Sequence, residues 1–240
     1  MKVWGMVIVC LKIFFVLVST FVFSVFALVV IPFDKKGDVF RLSPWLWSKS
    51  ILWVFGIKVH VQGYERLDPE KPYIFVSNHA SMFDIPTVVV ALRGNVNIVF
   101  KKELTRVPVW GWALRYGHFI MIDRTNPRDA MASIERAAES IKNGSSVILY
   151  AEGTRTEDGR LQPFKRGAFS LAMKAGVEVV PMILNGTFKI LPKGSLITKP
   201  ADISVVLEEP IPVEGMEGKS GEMELMTKVR SAIEKHYIDQ

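Results

Sequence analysis

A histidine and an aspartate five residues apart are the side chains in this sequence best suited to chemistry. His79 and Asp84 lie between an apolar stretch typical of a β-strand and the start of a predicted helix. On one continuous helix the two side chains would point about 140° apart, at roughly 100° per residue. They can meet only if a loop carries the histidine and the first helical turn carries the aspartate. The carboxylate would then fix the imidazole tautomer and leave the other ring nitrogen free to act as a general base.

A structural interpretation of the same segment is also open. Ser81 and Asp84 have the spacing of a capping box, in which Asp84 would only close the start of the helix. The two interpretations are compatible, because one carboxylate can accept hydrogen bonds from backbone amides and from an imidazole.

A second group of polar residues follows another predicted strand. Gly153 permits a tight turn, in which backbone amides, the Thr154 hydroxyl and the Arg155 guanidinium can converge on an anion. Glu152 would hold the arginine in place, and Arg124 follows a further strand at the same edge. An ordinary solvated turn is the alternative for this segment.

The elements that would position these loops alternate between strands and helices. Apolar strands separated by helices predict an α/β domain with a mixed, largely parallel sheet flanked by helices. Ligands of such domains bind in the loops beyond the strand ends, where both polar groups lie. The predicted strands are 57–61, 73–77, 97–101, 119–122, 146–150, 178–184 and 203–208, and the predicted helices of the domain are 85–92, 109–116, 128–142, 166–175 and 222–236.

The N-terminal quarter has the character of a membrane segment. Residues 13–33 carry no charge, and a helix of that length rises about 31 Å, roughly the thickness of the hydrocarbon core. A retained anchor is favoured over a signal peptide, whose apolar core would be shorter and followed by a small-residue cleavage site. Ser43 and Pro44 predict the N-cap and first position of a second, tryptophan-rich helix. We therefore expect two membrane-anchoring helices in residues 1–56, followed by a catalytic domain in residues 57–240.

The charge distribution supports a membrane partner. The net charge is +6, and residues 1–60 carry seven Lys or Arg but only two Asp, whereas the rest of the chain is nearly balanced. This placement favours anionic phospholipids over nucleic acid and predicts the cytoplasmic face of the cell (inner) membrane for the domain. Cys10 is the single cysteine, so no internal disulfide can form. No zinc-spaced cluster, P-loop or dinucleotide loop is present, and neither a metal nor a resident cofactor is predicted.

Taken together and in order, the motifs resemble those of the glycerolipid acyltransferase family. The resemblance covers roughly residues 57–210. One departure lies at the start of the third motif, which often begins with Phe-Pro and here begins with Tyr150-Ala151. The matching segments are His79-x4-Asp84, the Arg124 segment, Glu152-Gly153-Thr154-Arg155 and Val180-Pro181, with further matches at 101–104 and 164–167.

The resemblance implies an activity and a role for each motif. A fatty acyl group would move from an acyl thioester, acyl-CoA or acyl carrier protein, to the sn-2 hydroxyl of 1-acyl-glycerol 3-phosphate, giving phosphatidic acid. His79 would be the general base and Asp84 its orienting partner. The residues assigned to the acceptor phosphate and its pocket are Lys102, Arg124, Glu152, Gly153, Thr154 and Arg155.

Other functions remain open at this point. The acceptor could be glycerol 3-phosphate or another lyso-lipid. A metal-dependent phosphoesterase using His79, Asp84 and Glu152 would need more carboxylate or histidine ligands than the motif loops supply. A non-catalytic lipid-binding membrane protein would leave a His-Asp pair beside an anion loop unexplained.

Overall fold

The computed structural model describes residues 3–94, 96–123, 127–142, 144–195 and 197–239. Two short 3₁₀ helices, Tyr64–Arg66 and Lys102–Arg106, accompany the regular elements. These elements are, in chain order, α1 (Val3–Val30), α2 (Leu42–Val54), β1 (Val59–Gln62), β2 (Ile74–Ser77), α3 (Asp84–Ala91), β3 (Asn97–Lys101), α4 (Trp110–Tyr116), β4 (Ile120–Ile122), α5 (Pro127–Lys142), β5 (Val147–Tyr150), α6 (Gly167–Ala175), β6 (Val179–Asn185), α7 (Thr187–Ile190), β7 (Ile203–Leu207) and α8 (Gly218–His236).

The strands form one seven-stranded sheet in the order β1-β7-β6-β2-β5-β3-β4. Every neighbouring pair is parallel except β6 and β7, which are antiparallel. The predicted fold class, a mixed and largely parallel sheet flanked by helices, is therefore confirmed. In the register of β2 and β5, Ser77 lies opposite Tyr150. The loops that follow these two strands, which carry the two polar motifs, thus leave the sheet side by side.

Helices cover both faces of the sheet. Alternate side chains of the central strand β2 enter two separate apolar clusters, as the period of a strand requires. Ile74 and Val76 face α5, α6 and α8, whereas Phe75 faces α2 and α3. Ile51 and Leu52 of α2 are buried in this second cluster, so α2 contributes to the core of the domain as well as to the N-terminal segment.

Helix α1 lies antiparallel against α2. The Ser43 hydroxyl donates to the carbonyl oxygen of Phe23 at 2.7 Å, and the Trp47 indole N–H donates to the Thr20 hydroxyl at 3.0 Å. The prediction that Ser43 caps α2 is wrong, because the helix already begins at Leu42. The serine hydroxyl is used instead to join the two helices.

Most of the surface of α1 is not covered by the rest of the chain. Within the described residues, Trp4–Val30 is a helix long and apolar enough to cross a membrane, with a mean hydropathy of 2.8. Large apolar side chains along it, such as Phe14 and Leu17, are exposed. The helix therefore indicates association with a membrane, as the sequence predicted.

Candidate active site

The predicted pair of His79 and Asp84 is formed. The imidazole Nδ1 of His79 lies 2.6 Å from Oδ2 of Asp84, at the junction between the loop after β2 and the first turn of α3. The same oxygen accepts hydrogen bonds from the amides of Ala80 and Ser81, at 2.7 and 2.9 Å. Since an ionised carboxylate can only accept, Nδ1 carries the proton and Nε2 is left as the basic nitrogen.

Both interpretations of Asp84 therefore hold. Its carboxylate closes the start of α3 through two backbone amides and also orients the imidazole. Asp84 is fully buried, and its second oxygen, Oδ1, has no hydrogen-bond partner within the described part of the chain. A buried carboxylate with three donors on one oxygen holds the histidine in one orientation.

The histidine loop is fixed by buried hydrogen bonds to β6 and to the residue that follows α7. Asn78 exchanges two hydrogen bonds with the backbone of Leu184 in β6, at 2.8 and 2.9 Å. The Ser81 hydroxyl donates to the carbonyl oxygen of Leu191 at 2.9 Å. Each of these polar side chains is buried, so breaking one bond would leave an unsatisfied buried group. The loop is thus held in a single geometry before any ligand binds.

Glu152 joins the second motif to the histidine loop. Its Oε1 accepts the backbone N–H of His79 at 2.6 Å, and its Oε2 accepts the backbone N–H of Gln162 at 3.0 Å. The predicted contact between Glu152 and Arg155 does not occur among the described residues. Burial raises the pKa of Glu152 above its ordinary value, and the two amide hydrogen bonds oppose this shift.

The imidazole of His79 rests on an aromatic ring. Tyr150, the last residue of β5, stacks on it with ring centroids 4.0 Å apart and planes inclined by 15°. The Tyr150 hydroxyl is buried without a partner in the part of the chain that the structure describes. Burial raises the pKa of this phenol well above its ordinary value, and the charge of Asp84 raises it further. The ring is therefore neutral and serves as a flat support beneath the imidazole.

A cavity of about 160 Å³ opens beside the histidine. Lys101, the last residue of β3, lies in its wall and makes no ion pair with the described residues. Sequence reasoning selected the neighbouring Lys102, whose ammonium instead lies 2.6 Å from the Asp123 carboxylate. A sequence feature that could have identified Lys101 is its position at the carboxyl end of a predicted strand, where ligands bind in sheets of this kind. The cavity is lined by His79, Ile85, Val99, Phe100, Lys101, Ile148, Leu149, Tyr150 and Gly153.

The remaining predicted site residues lie in the turn after β5 or outside the described residues. Gly153 has a φ of +70°, and a side chain there would meet the Lys165 side chain at about 3 Å. Arg155 is half-buried and, within the described residues, has no hydrogen bond or ion pair, while Thr154 is exposed. Arg124 lies outside the described residues. No group of three His, Cys, Asp or Glu side chains that could hold a metal occurs among the described residues.

This arrangement can remove the proton from a substrate hydroxyl group that lies close to a negatively charged group of the same substrate. An oriented imidazole with a basic Nε2 shares one cavity with an ammonium group, and apolar side chains from β3 and β5 form the remaining wall. Such a site suits a substrate that carries a negative charge, a hydroxyl group and an apolar chain.

Comparison with known proteins connects this geometry to one family. Residues 58–185 match the family named Acyltransferase. The chain is 36% identical over 216 residues to a 1-acyl-sn-glycerol-3-phosphate acyltransferase of Limnanthes douglasii, covering 83% of this chain and 76% of the relative. A protein of the same name from Pseudomonas aeruginosa is 31% identical over 202 residues, covering 82% of this chain and 77% of the relative.

A chloroplastic relative from Brassica napus, also named a 1-acyl-sn-glycerol-3-phosphate acyltransferase, is 40% identical over 168 residues, or 69% of this chain. This chain spans about half the length of that relative and of one from Arabidopsis thaliana, 48% and 55% respectively. The crystal structure of a 1-acyl-sn-glycerophosphate acyltransferase from Thermotoga maritima superposes with a TM-score of 0.82 at 25% identity, covering 98% of this chain and 95% of that one. The match of sequence over more than half the chain, and of fold over nearly all of it, means that this protein belongs to the acyltransferase family.

Proposed function

We propose that the protein transfers a fatty acyl group from acyl-CoA or acyl carrier protein to the sn-2 hydroxyl of 1-acyl-glycerol 3-phosphate, yielding phosphatidic acid. The observation that carries the proposal is the oriented pair of His79 and Asp84, which faces a cavity that also contains Lys101. The names of the relatives support the choice of acceptor.

The chemistry begins with proton removal from the acceptor. Nε2 of His79 takes the proton of the sn-2 hydroxyl while its oxygen attacks the thioester carbonyl carbon. Asp84, hydrogen-bonded to Nδ1, stabilises the imidazolium that results. The tetrahedral intermediate then collapses, the carbon–sulfur bond breaks, and the thiolate leaving group receives the proton from His79. The products are the new ester and the free thiol of the donor.

The acceptor phosphate is bound by cationic side chains beside the histidine. Lys101 lines the cavity, and Arg155 follows the strand that carries Tyr150. Arg155 keeps its guanidinium N–H groups available within the described residues, and a guanidinium can bind a phosphate through two parallel hydrogen bonds. Arg124 is a further ligand in this proposal. The role of Gly153 and Thr154 is to shape the turn against which the phosphate rests.

The substrate is a lipid, so the site operates at a membrane surface, here the cytoplasmic face of the inner membrane. Contacts between α1 and the domain extend from Phe15 and Val16, which pack against the apolar cluster that includes Val88 of α3, to Ala27, which packs with Ala113 of α4. A helix attached to the domain over this length lies alongside it. We therefore favour an arrangement in which α1 and α2 occupy one leaflet over a full crossing of the bilayer by α1.

The decisive experiment is an acyl-transfer assay on the purified full-length protein. Donors are acyl-CoA and acyl carrier protein, acceptors are 1-acyl-glycerol 3-phosphate, glycerol 3-phosphate and lysophosphatidylcholine, and products are identified by mass. Transfer should persist with a metal chelator, and His79→Ala should lower turnover at least about a hundredfold.

The matched control is His60→Ala. His60 is an exposed histidine on β1 whose imidazole lies 3.3 Å from the Asp202 carboxylate. This variant should keep normal turnover. A folded His79→Ala protein with near-normal turnover would overturn the assignment of the general base, and absence of product from every donor and acceptor would overturn the proposed reaction.

A further inference from the structure

A second cavity, of about 310 Å³, lies between the connection that follows α1, the start of β4 and the second half of α5. We propose that this cavity binds the phosphate group of an anionic phospholipid headgroup. The proposal rests on the charge, the construction and the location of the cavity, and it does not depend on the acyl-transfer reaction.

The charge of the cavity fits a phosphate. Lys36, Arg41 and Arg136 contribute three cations to its wall, and no carboxylate occurs among the described residues that line it. Arg41 pairs with Asp38 at 3.3 Å, but this pair is solvent-exposed, and exposed ion pairs of this kind contribute little. Guanidinium groups present a planar set of donors that matches phosphate oxygens. The wall also contains the hydroxyl-bearing side chains Ser133, Ser140 and Ser145.

The connection that carries Lys36 and Arg41 is held in place by one carboxylate. Oxygens of Asp34 accept hydrogen bonds from the backbone amides of Gly37, Asp38 and Phe40, at 3.0, 3.1 and 2.6 Å. These bonds, above all the one from Phe40, lower the pKa of Asp34, so its carboxylate is charged at neutral pH. The cations therefore project from a folded turn.

His118 joins this turn to the sheet. Its imidazole packs edge-on against the Phe40 ring, with centroids 5.3 Å apart. It also covers Gly37, where a side chain would meet the imidazole at 3.0–3.1 Å. Since Gly37 also has a φ of +79°, the position accepts only glycine without strain. His118 and the guanidinium of Arg136 thus form the domain side of the cavity, and the turn forms the other side.

The cavity is separate from the candidate active site. Asn97, the first residue of β3, lines the phosphate cavity, whereas Lys101, the last residue, lines the cavity beside His79. The two cavities thus lie at opposite ends of a five-residue strand, which spans roughly 13 Å at 3.3 Å per residue. A phosphate bound in the larger cavity is therefore not the acceptor phosphate in the proposed reaction.

The location of the cavity favours a lipid headgroup, rather than a dissolved ion, as the source of the phosphate. Lys36 and Arg41 follow six and eleven residues after Val30, the last residue of α1, the helix that indicates membrane association. A headgroup phosphate beside this helix end would meet both cations, and each basic residue near an anionic surface adds about 1 kcal/mol of attraction. A dissolved phosphate would gain nothing from this neighbouring apolar surface.

The test measures lipid binding to the full-length protein in neutral detergent by native mass spectrometry. The probe is dioctanoyl phosphatidylglycerol, which is neither substrate nor product of the proposed reaction, with dioctanoyl phosphatidylcholine as the zwitterionic comparison. The wild type should retain one phosphatidylglycerol molecule and bind phosphatidylcholine at least about tenfold more weakly. The double variant K36Q/R136Q should bind phosphatidylglycerol at least about tenfold more weakly, because it loses two charge-assisted contacts.

Two control variants distinguish loss of this binding site from a general loss of positive charge and from loss of the fold. K228Q/K235Q removes two positive charges from α8 and should bind phosphatidylglycerol like the wild type. K36R/R136K keeps both charges and should retain binding. Unchanged phosphatidylglycerol binding in K36Q/R136Q would overturn the proposal, as would an equal loss in K228Q/K235Q. Displacement of phosphatidylglycerol by inorganic phosphate or CoA at equal concentration would assign the cavity to a soluble phosphate and also overturn it.

Discussion

Two adjacent lysines at the end of β3 have opposite environments. Lys101 lines the cavity beside His79, while Lys102 is held by Asp123. We expect Lys101→Gln to lower kcat/KM for the acceptor roughly 10–150-fold, because a charge-assisted contact contributes about 1.5–3 kcal/mol. Steady-state kinetics with the acceptor varied at a saturating donor concentration would measure this loss.

Lys102→Gln is the matched control for that variant. It removes the same charge one residue away and leaves the buried Asp123 carboxylate without this partner. We expect reduced thermal stability and an acceptor KM within about threefold of the wild type, since the charge it removes already has a partner. If Lys102→Gln raised the acceptor KM and Lys101→Gln did not, the original sequence-based choice of Lys102 would be correct.

The substitution Tyr150→Phe isolates a single buried hydroxyl. Phenylalanine keeps the stack on His79 and removes an oxygen that has no partner among the described residues. Since a buried unpaired polar group costs about 1–3 kcal/mol, we expect unchanged or higher thermal stability and near-normal turnover. Tyr150→Leu, which loses the aromatic stack, should lower both. A destabilised Tyr150→Phe protein would mean that the hydroxyl is hydrogen-bonded, for example to a buried water.

At the scale of single residues, the sequence predicts a contact correctly where the spacing between two residues determines their geometry. The five-residue interval from His79 to Asp84 predicts a loop-to-helix contact, and the structure contains it. Spacing could not distinguish Lys101 from Lys102, because the choice depends on which side chain lines the cavity beside His79 and which one pairs with Asp123. The partner of Glu152 was missed for a similar reason, since the backbone N–H of His79 is distant in sequence and carries no sequence signal.

At the scale of elements, Glu152 couples the loop after β2 to the turn after β5. Its pKa is raised by burial, so the folded state binds the proton more tightly than the unfolded state does. The resulting stabilisation is greatest below the unfolded pKa and is lost as the pH rises through the folded pKa. Glutamine does not titrate. We therefore expect the unfolding free energy of the wild type, minus that of Glu152→Gln, to fall as the pH rises above the ordinary glutamate pKa of 4.5 and through the raised pKa of the folded protein.

Chemical denaturation of both proteins in one neutral detergent, across this pH range, would measure that difference. All other titrating groups are shared, so they largely cancel in the subtraction. A difference that grows with pH would show that the amide hydrogen bonds outweigh burial and that the pKa of Glu152 is lowered in the folded protein.

Most elements were predictable because their apolar patterns are local. The seven strands and the longer helices agree with the predicted ones within a few residues. The antiparallel pairing of β6 and β7 was not predictable, because pairing direction depends on the path of the connection between them. Ser43 was assigned to a cap because cap preferences are local, whereas its hydroxyl has a tertiary partner, the carbonyl oxygen of Phe23.

At the scale of the whole molecule, the N-terminal segment packs next to the candidate active site. The Phe55 ring, just after α2, packs edge-on against Phe83 with centroids 5.0 Å apart. Phe83 immediately precedes Asp84. The boundary between anchor and domain at residue 56 stays a prediction, and deletion of residues 1–56 would also remove buried core side chains of α2. A sharper test of membrane docking changes only the uncovered face of α1.

The variant F14E/L17E/F21E places three carboxylates on that face, where the side chains are 65%, 64% and 56% exposed. Burying a large apolar side chain in lipid contributes about 1.5–3 kcal/mol, so the variant should bind vesicles at least about a hundredfold more weakly. Acyl transfer to bilayer-embedded acceptor should fall in parallel, while transfer to a short-chain soluble acceptor should persist. The control I197E/M223E/I238E changes three comparably exposed apolar residues outside α1 and should leave both properties unchanged. If the α1 variant acylated bilayer-embedded acceptor as fast as the wild type, α1 would not position the active site at the membrane.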